Sequence, residues 1–234
     1  MAITTSRPDG GEFAISLTVS GDHDRATLGA DVSAAVDAAQ PDLFGTRHVQ
    51  VWIEDVNEGD DARLAPELRP YRDLLQLRRP LPAPPSGLDT RAFDPTSDPE
   101  TFIAVNNRAF AWHPEQAGLT RDRLDATMRE PWFDADGFRI LEVEGRMAGF
   151  CWTKIHVDNT PPLGEIYVIA VDPDFHGRGL GGPMTLAGLE WLAGRQITIA
   201  NLYVESDNHP ALRTYERIGF THHSTNRAYT SAPS

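Results

Sequence analysis

Residues 165–182 read EIYVIAVDPDFHGRGLGG and join an apolar run to a glycine-rich turn. The run, residues 165–171, is almost continuous and rich in β-branched side chains, which is typical of a strand buried on both faces in the centre of a sheet. Beyond the turn, apolar residues recur at the spacing of one helix face, namely Leu180, Met184, Ala187 and Trp191. The segment therefore predicts a central strand, a tight turn and an amphipathic helix.

The glycine-rich turn is the strongest chemical signal in the sequence. Glycines let a backbone approach a ligand closely, and the free amides at the start of a helix suit a pyrophosphate group. The pattern is neither a Walker loop nor a Rossmann fingerprint, and a plain strand-to-helix connection is the structural alternative. The candidate cofactor-binding residues of the turn are His176, Gly177, Arg178, Gly179, Leu180, Gly181 and Gly182.

The residues around this segment predict an α/β arrangement. A proline-rich stretch at 79–87 cannot form a helix or a central strand, and we interpret it as a linker. After it the predicted order is β-α-α-β-β-β-α-β-α-β. The strands are expected at 88–93, 138–143, 149–157, 165–171, 202–205 and from 220, and the helices from a capping box at 97–100 to about 111, at 120–128, after the turn and at 210–218. We therefore predict one domain at 1–87 and a second at 88–234.

The N-terminal part repeats a fragment of this order. It predicts a strand at 12–19, a helix at 26–39, a strand at 49–54, and then a helix and a strand up to 77. Residues 20–25, between the first strand and the helix, lack the glycine spacing of the later turn. The pattern indicates a weak internal duplication whose first copy packs and shapes the protein rather than carrying the chemistry.

Composition excludes several classes of function. The formal net charge of −13 would repel a phosphate backbone, so we expect no nucleic-acid partner. No run of about 18 apolar residues is present and residues 1–11 are polar, so we expect no membrane partner and a cytoplasmic location. We also expect a monomer. Cys151 is the only cysteine, and the histidines form no recognisable ligand set, so we expect no metal.

A second motif follows the turn by about 25 residues. Residues 207–220 read DNHPALRTYERIGF and, together with the turn, resemble the coenzyme-A-binding motifs of the GNAT acetyltransferase superfamily. His176 departs from that pattern, because it stands where the superfamily usually has glutamine or arginine. The resemblance implies acetyl-CoA as cosubstrate and adds as cofactor-binding candidates Asn208, His209, Pro210, Ala211, Leu212 and Arg213.

A closer resemblance covers most of the chain. The motifs at 105–116, 152–156, 164–168 and 202–208 are similar to those of the mycothiol synthases, a family of tandem GNAT proteins of actinobacteria, and residues 74–81 resemble the end of that family's first domain. We therefore expect a GNAT fold with a mixed central sheet flanked by helices and a shortened, degenerate N-terminal GNAT-like half. The opening portion of the family's first domain is expected to be missing.

The resemblance also implies a reaction: direct transfer of acetyl from acetyl-CoA to the cysteinyl amine of cysteinyl-glucosaminyl-inositol. An α-amino group has a pKa of about 7.7 to 8.0, so a modest base acting directly or through water is sufficient. Glu165 is the candidate base and Tyr215 the candidate acid. A solvent-facing carboxylate at a strand end and a core aromatic are the structural alternatives for these two residues.

Further roles follow from the matching motifs. The oxyanion is expected at backbone amides of Ile169, Ala170 and Val171, with the pantetheine arm along that strand. The polar residues expected to bind the acceptor are Glu115, Lys154, Glu165 and Tyr203. Two other functions stay open: acetylation of another small amine or of a protein N-terminus, and sensing of acetyl-CoA without turnover.

Overall fold

The computed structural model describes residues 2–6, 13–21, 26–39, 48–64, 68–112 and 118–231. The strands are β1 (Ala2–Ser6), β2 (Phe13–Ser20), β3 (His48–Ile53), β4 (Leu68–Pro80), β5 (Arg91–Ala92), β6 (Phe138–Val143), β7 (Arg146–His156), β8 (Leu163–Val171), β9 (Ile199–Glu205) and β10 (Thr221–Ser231). The helices are α1 (Leu28–Ala39), α2 (Pro99–Ala109), α3 (Arg121–Met128), α4 (Gly181–Gly194) and α5 (His209–Arg217). The chain forms two compact units. The first comprises Met1–Gln76, Val204–Asn208 and His222–Ser234, and the second comprises Leu77–Tyr203 and His209–Thr221.

The first unit is built on strands in the order β1-β2-β3-β10-β4. Strands β2 and β3 are parallel, which fits the predicted strand-helix-strand order because α1 connects them. Strand β10, the last of the chain, runs antiparallel to β3 and pairs Tyr229 with Val51. A core of buried apolar side chains, among them Leu17, Val32 and Tyr229, unites these elements. Strand β1 was not predicted, and residues 22–25 of the predicted loop lie outside the described residues.

The division of the chain into a GNAT-like half at 1–87 and a second domain at 88–234 remains a proposal. The boundaries of the two compact units fall within β4 and β9, and β10 is grouped with the first unit.

The second unit has the strand order β9-β8-β7-β6-β5. Strands β8 and β9 are parallel and the other neighbours are antiparallel, so the sheet is mixed. Successive side chains of β7 point to opposite faces: Cys151 lies against Gly188 of α4, whereas the ring of Trp152 lies 6.0 Å from that of Phe102 in α2. Helices therefore cover both faces, and the predicted α/β class with a mixed, helix-flanked sheet is confirmed.

The predicted capping box at the start of α2 is wrong. The residue before the helix is Asp98, and its carboxylate makes no cap. Instead it accepts hydrogen bonds from Arg91 at 2.6 and 2.8 Å, while the Ser97 hydroxyl donates to Asp94. A buried carboxylate gains more from a bidentate guanidinium than from a single backbone amide. Helix α3, by contrast, has a side-chain cap, because Thr120 accepts a hydrogen bond from the backbone N–H of Arg123.

Two helical glycines make a matched stability test. A Cβ added at Gly188 would press against Sγ of Cys151 and lie 2.9 Å from Cδ1 of Ile166, whereas one added at Gly194 meets nothing within 4 Å. Because overpacking strains a core, Gly188→Ala should lower the free energy of unfolding by about 1–3 kcal/mol. Gly194→Ala should leave it unchanged or raise it by up to about 1 kcal/mol. Urea titrations of both variants measure the difference, and equal effects would show that the α4–β7 contact is looser than described.

Candidate functional site

The second unit contains a gap between two neighbouring strands. The parallel register of β8 and β9 runs from Leu163–Ile199 to Ile166–Leu202. In the part of the chain that the structure describes, the register stops there, although β8 continues to Val171 and β9 also runs on. Residues 167–171 therefore have a backbone edge toward β9 without a strand partner. Unpaired N–H and C=O groups on such an edge are free to bind an extended ligand.

A β-bulge lies at the start of this free edge. Along β7 and β8, Trp152 pairs with Val168 but Thr153 pairs with Ile166, so Tyr167 is an extra residue. The side chain of Tyr167 is 38% exposed, and its ring packs against those of Trp132 and Trp152 at centroid distances of 5.0 and 5.5 Å. The prediction of a strand buried on both faces is therefore wrong for the second half of β8, where Val168 and Ile169 are also only half-buried. An apolar run does not distinguish core from a strand edge that faces a ligand.

The glycine-rich turn follows β8 directly. A 3-10 helix at Pro173–Phe175 leads from the strand to the turn, and Gly177 and Gly179 adopt left-handed φ angles of +76° and +71°. Added Cβ atoms at Gly177, Gly179 or Gly181 would meet nothing within 4 Å, so the turn is open to its surroundings. Among the described residues, no acceptor is found for the backbone N–H groups of residues 177–182. They are the orphan donors that a helix start offers to an anion.

Three side chains in or beside the turn make contacts that hold it in place. Nε2 of His176 lies 2.9 Å from the carbonyl oxygen of Val171, which ties the turn back to the end of β8. The guanidinium of Arg178 lies over the Phe175 ring, 4.8 Å from its centroid. Asp172 is buried, accepts a hydrogen bond from the backbone N–H of Asp174, and forms an ion pair with Arg108 of α2. These contacts fix the turn relative to the sheet and to α2.

Two of the predicted acceptor-binding residues lie side by side. Lys154 of β7 and Glu165 of β8 are cross-strand partners and share one face of the sheet. Glu165 is buried, and one carboxylate oxygen, Oε2, lies 2.6 Å from Nε2 of His156. The ammonium of Lys154 lies 4.5 Å from the ring centroid of Trp132 and 5.7 Å from that of Tyr167. Burial, and then the charge of Glu165, raise the pKa of the Tyr167 phenol.

The other two acceptor-binding candidates are Tyr203 and Glu115. Tyr203 follows Leu202 on β9, just past the last paired residue, and is 39% exposed. Glu115 lies outside the described residues. Asn201, two residues before Tyr203 in the paired part of β9, is buried and in register with Glu165.

Helix α5 carries the candidate acid. The ring of Tyr215 packs edge-on against Phe220 at 5.9 Å, and burial raises the pKa of its phenol, to which the neighbouring Cys151 also contributes. An added Cβ at Gly182 would lie 3.7 Å from Cγ2 of Thr214, so the first turn of α4 and helix α5 are close together. The remaining cofactor-binding candidates on α5 are His209, Pro210, Ala211, Leu212 and Arg213. Asn208 precedes the helix and is grouped with the first unit.

A cavity of about 200 Å³ lies on the α2–α3 face of the sheet beside the bulge. Its wall combines apolar side chains with five that carry polar groups, namely Asn106, Arg123, Thr127, Trp152 and Tyr167. The indole N–H is buried and has no hydrogen-bond partner among the described residues. This donor, His156 and Asn201 were missed by sequence reasoning. Alternation along β7 could have placed Trp152 and His156 on the face of Lys154, but no sequence signal marks Asn201.

Two classes of feature are not found in the part of the chain that the structure describes. No three His, Cys, Asp or Glu side chains come together as a metal site. None of the described helices has the length and apolar character needed to cross a membrane.

Comparison with known proteins identifies the family. The family model described as acetyltransferase (GNAT) family matches residues 104–220. The chain is 43% identical over 217 residues to a mycothiol acetyltransferase of Acidimicrobium ferrooxidans, covering 88% of this chain and 70% of that protein. It is 47% identical over 193 residues to a mycothiol acetyltransferase of Thermomonospora curvata, covering 79% of this chain and 64% of that protein.

Solved structures with low sequence identity share the fold. A GCN5-related N-acetyltransferase from Sphaerobacter thermophilus superposes with a TM-score of 0.69 at 20% identity, over 93% of this chain and 72% of that one. A tandem GNAT protein from the clavulanic acid biosynthesis pathway superposes with a TM-score of 0.62 at 17% identity, over 97% and 78% of the two chains. The expected GNAT fold is thereby confirmed. With its coenzyme motifs, its parted strands and these relatives, the chain belongs to the GNAT acetyltransferase family and, within it, to the mycothiol acetyltransferases.

Proposed function

We propose that this protein transfers acetyl from acetyl-CoA to the cysteinyl amine of cysteinyl-glucosaminyl-inositol, the last step of mycothiol biosynthesis. The observation that carries the proposal is the unpaired edge of β8 beside the buried carboxylate of Glu165. An open strand edge suits the amides of a pantetheine arm, and a nearby carboxylate suits an amine nucleophile. The relatives named mycothiol acetyltransferase support the choice of acceptor.

The glycine-rich turn is the proposed binding site of the pyrophosphate. Its orphan amides and the positive end of α4 favour an anion, and Arg178 adds a positive charge nearby. From the turn, the pantetheine arm would run toward Glu165 along residues 167–171. Metal ions have no part in this proposal, because backbone N–H groups supply the hydrogen bonds to the oxyanion.

Glu165 is proposed as the general base. In an extended strand, the four residue steps from Glu165 to Ile169 span about 13 Å, more than a glutamate side chain alone reaches. The acceptor amine is proposed to lie between the two, and its proton passes to the carboxylate directly or through a water. His156, within hydrogen-bond distance of Oε2, holds the carboxylate in place. Lys154 and Tyr203 are proposed to contact hydroxyl groups of the acceptor, together with Glu115.

Bond making and breaking then follow in order. The amine nitrogen attacks the acetyl carbon, the oxyanion accepts hydrogen bonds from backbone amides within Ile169, Ala170 and Val171, and the carbon–sulfur bond breaks. Tyr215 is proposed to deliver a proton to the departing thiolate. Because burial raises the pKa of this phenol, it stays protonated throughout the neutral range. It is also a weaker acid than free tyrosine, so delivery of its proton depends on a hydrogen bond to sulfur that strengthens as negative charge develops there.

Two other functions use the same motifs. Acetylation of a different small amine or of a protein N-terminus would need only a different acceptor wall, since GNAT motifs specify the cofactor better than the acceptor. Sensing of acetyl-CoA without turnover would not need Glu165 or Tyr215. We further propose that the protein acts as a cytoplasmic monomer without a nucleic-acid or membrane partner, which the net charge of −13 supports for nucleic acid.

A negative charge introduced at the start of α4 tests the proposed pyrophosphate-binding site. Gly181→Asp places a carboxylate where space is open and where a negative charge favours the helix, so the fold should be as stable as the wild type or more so. The same charge would repel pyrophosphate, and acetyl-CoA should bind about tenfold more weakly, ~1.4 kcal/mol. Gly181→Asn is the control of equal size and should bind nearly as the wild type does. Calorimetry should also give one acetyl-CoA per chain; equal affinities of the two variants would remove the turn from the site.

Removal of one hydroxyl group tests the acid. Tyr215→Phe keeps the ring contact with Phe220 and should lower kcat by about ten- to a hundredfold, while acetyl-CoA affinity changes little. Pre-steady-state measurements should establish first that chemistry limits the rate. In the wild type, kcat should not fall from ionisation of this phenol below pH 10, because its pKa is raised. An unchanged kcat in the variant would exclude the role.

Acceptor choice tests the substrate. A site with several fixed polar groups leaves them unpaired when an acceptor lacks the matching hydroxyls, so free cysteine should have a much lower kcat/KM than cysteinyl-glucosaminyl-inositol, by about a hundredfold or more. Glu165→Gln should lower kcat/KM with both acceptors. Equal efficiencies, or a preference for a peptide N-terminus, would leave only a general acetyltransferase.

A further inference from the structure

We propose that Asn201 is a positioning residue of the acceptor site. Its side-chain oxygen, Oδ1, and the carboxylate of Glu165 together accept the hydrogens of one donor group at the floor of the gap between β8 and β9. The donor is either the acceptor amine itself or the water that carries its proton. The inference rests on the proposed function and adds to it a residue that neither the coenzyme motifs nor the acceptor motifs contain.

The first observation is an unsatisfied buried acceptor. Asn201 is only 2% exposed, and its Oδ1 has no hydrogen-bond partner among the residues that the structure describes. Buried polar side chains elsewhere in the sheet do have partners: Thr153 donates to the carbonyl of Gly137 at 2.8 Å, and Ser16 donates to the Gln50 side chain at 2.9 Å. Because an unpaired buried acceptor lowers stability, its presence calls for a reason other than folding.

The second observation is the place of Asn201 in the sheet. Lys154, Glu165 and Asn201 are register partners on three adjacent strands, so their side chains leave the same face. Neighbouring strands lie about 4.8 Å apart, which brings the carboxylate and the amide within reach of one small group. The pairing of β8 with β9 ends at the next pair, Ile166–Leu202, so the row borders the gap.

The third observation is that the two facing groups, the Glu165 carboxylate and Oδ1 of Asn201, are both hydrogen-bond acceptors. His156 lies on Oε2 of Glu165, which leaves Oε1 for another donor. The nearest cation of the row, the ammonium of Lys154, lies over the rings of Trp132 and Tyr167. An N–H or O–H donor with two hydrogens is the group that fits.

Two acceptors placed in this way orient the water that carries the proton from the amine to Glu165. When both hydrogens of a water are held by Oε1 and Oδ1, its lone pairs face the gap and can accept a proton from the amine. As the nitrogen bonds to the acetyl carbon, one proton passes from nitrogen to the water and one from the water to Glu165. The carbon–sulfur bond breaks and Tyr215 supplies the proton to sulfur. If the amine is itself the donor, its proton passes to Oε1 directly.

The test is Asn201→Leu, which keeps the volume of the side chain and removes the acceptor. The variant should unfold at the same temperature as the wild type or a higher one, because an unpaired polar group is replaced by an apolar one. Acetyl-CoA affinity should be unchanged, and kcat/KM for cysteinyl-glucosaminyl-inositol should fall at least about tenfold. A fall in kcat at constant acceptor KM identifies the relay water, and a rise in acceptor KM identifies direct contact with the amine.

Thr153→Val is the matched control. It also removes a buried polar atom, but one that is hydrogen-bonded and lies on the other face of the sheet, so it should unfold at a lower temperature and keep the wild-type kcat. Lower stability of Asn201→Leu, or turnover equal to that of the wild type, would overturn the role of Asn201. If the wild type acetylates a different amine, the proposed acceptor fails, whereas Asn201 stands provided that Asn201→Leu slows that transfer. A wild type that acetylates no amine contradicts both.

Discussion

The end of hydrogen bonding between β8 and β9 is the constraint on which the rest of the site depends. Up to Ile166 and Leu202, the two strands satisfy each other's backbone groups, and beyond that pair they do not. A sheet that parts in its interior leaves polar groups in need of a partner, and an extended chain of amides is a partner of the right shape. The glycine-rich turn that follows β8 offers further unpaired N–H groups, so one ligand with a phosphate end and an amide arm can satisfy both.

Polar groups, two of them without a hydrogen-bond partner, are concentrated on one face of the sheet beside the gap between β8 and β9. The bulge at Tyr167 shifts the alternation of β8 by one residue, so that Glu165 before it and Val168 after it lie on the same face of the sheet as Lys154 and Trp152. Glu165, Asn201 and Trp152 lie on that face, and the last two carry buried atoms without a partner in the described protein. An unpaired buried polar atom lowers the stability of the free protein, and such costs are typical of functional sites.

Much of this could be predicted from the sequence, for identifiable reasons. Helix α4 and the turn before it follow from spacing and from glycine at 177 and 179, where the φ angles are positive. The partnership of Lys154 with Glu165 follows from the hairpin. The bulge could not be predicted, because an extra residue in an apolar run changes no local pattern, and Asn201 could not, because its importance lies in a missing partner. The capping box at 97–100 failed because the Ser97 hydroxyl donates to Asp94 instead of capping the helix, a contact that the spacing of the motif does not reveal.

Hydrogen exchange of the backbone amides tests the central claim most directly, since it reports on the edge of β8 itself. If acetyl-CoA is the partner that the parted strand lacks, its binding should slow exchange at residues 167–171 and at 177–182, with little change in β6 or in α3. Slower exchange confined to other parts of the chain, with residues 167–171 exchanging as fast as in the free protein, would contradict the account.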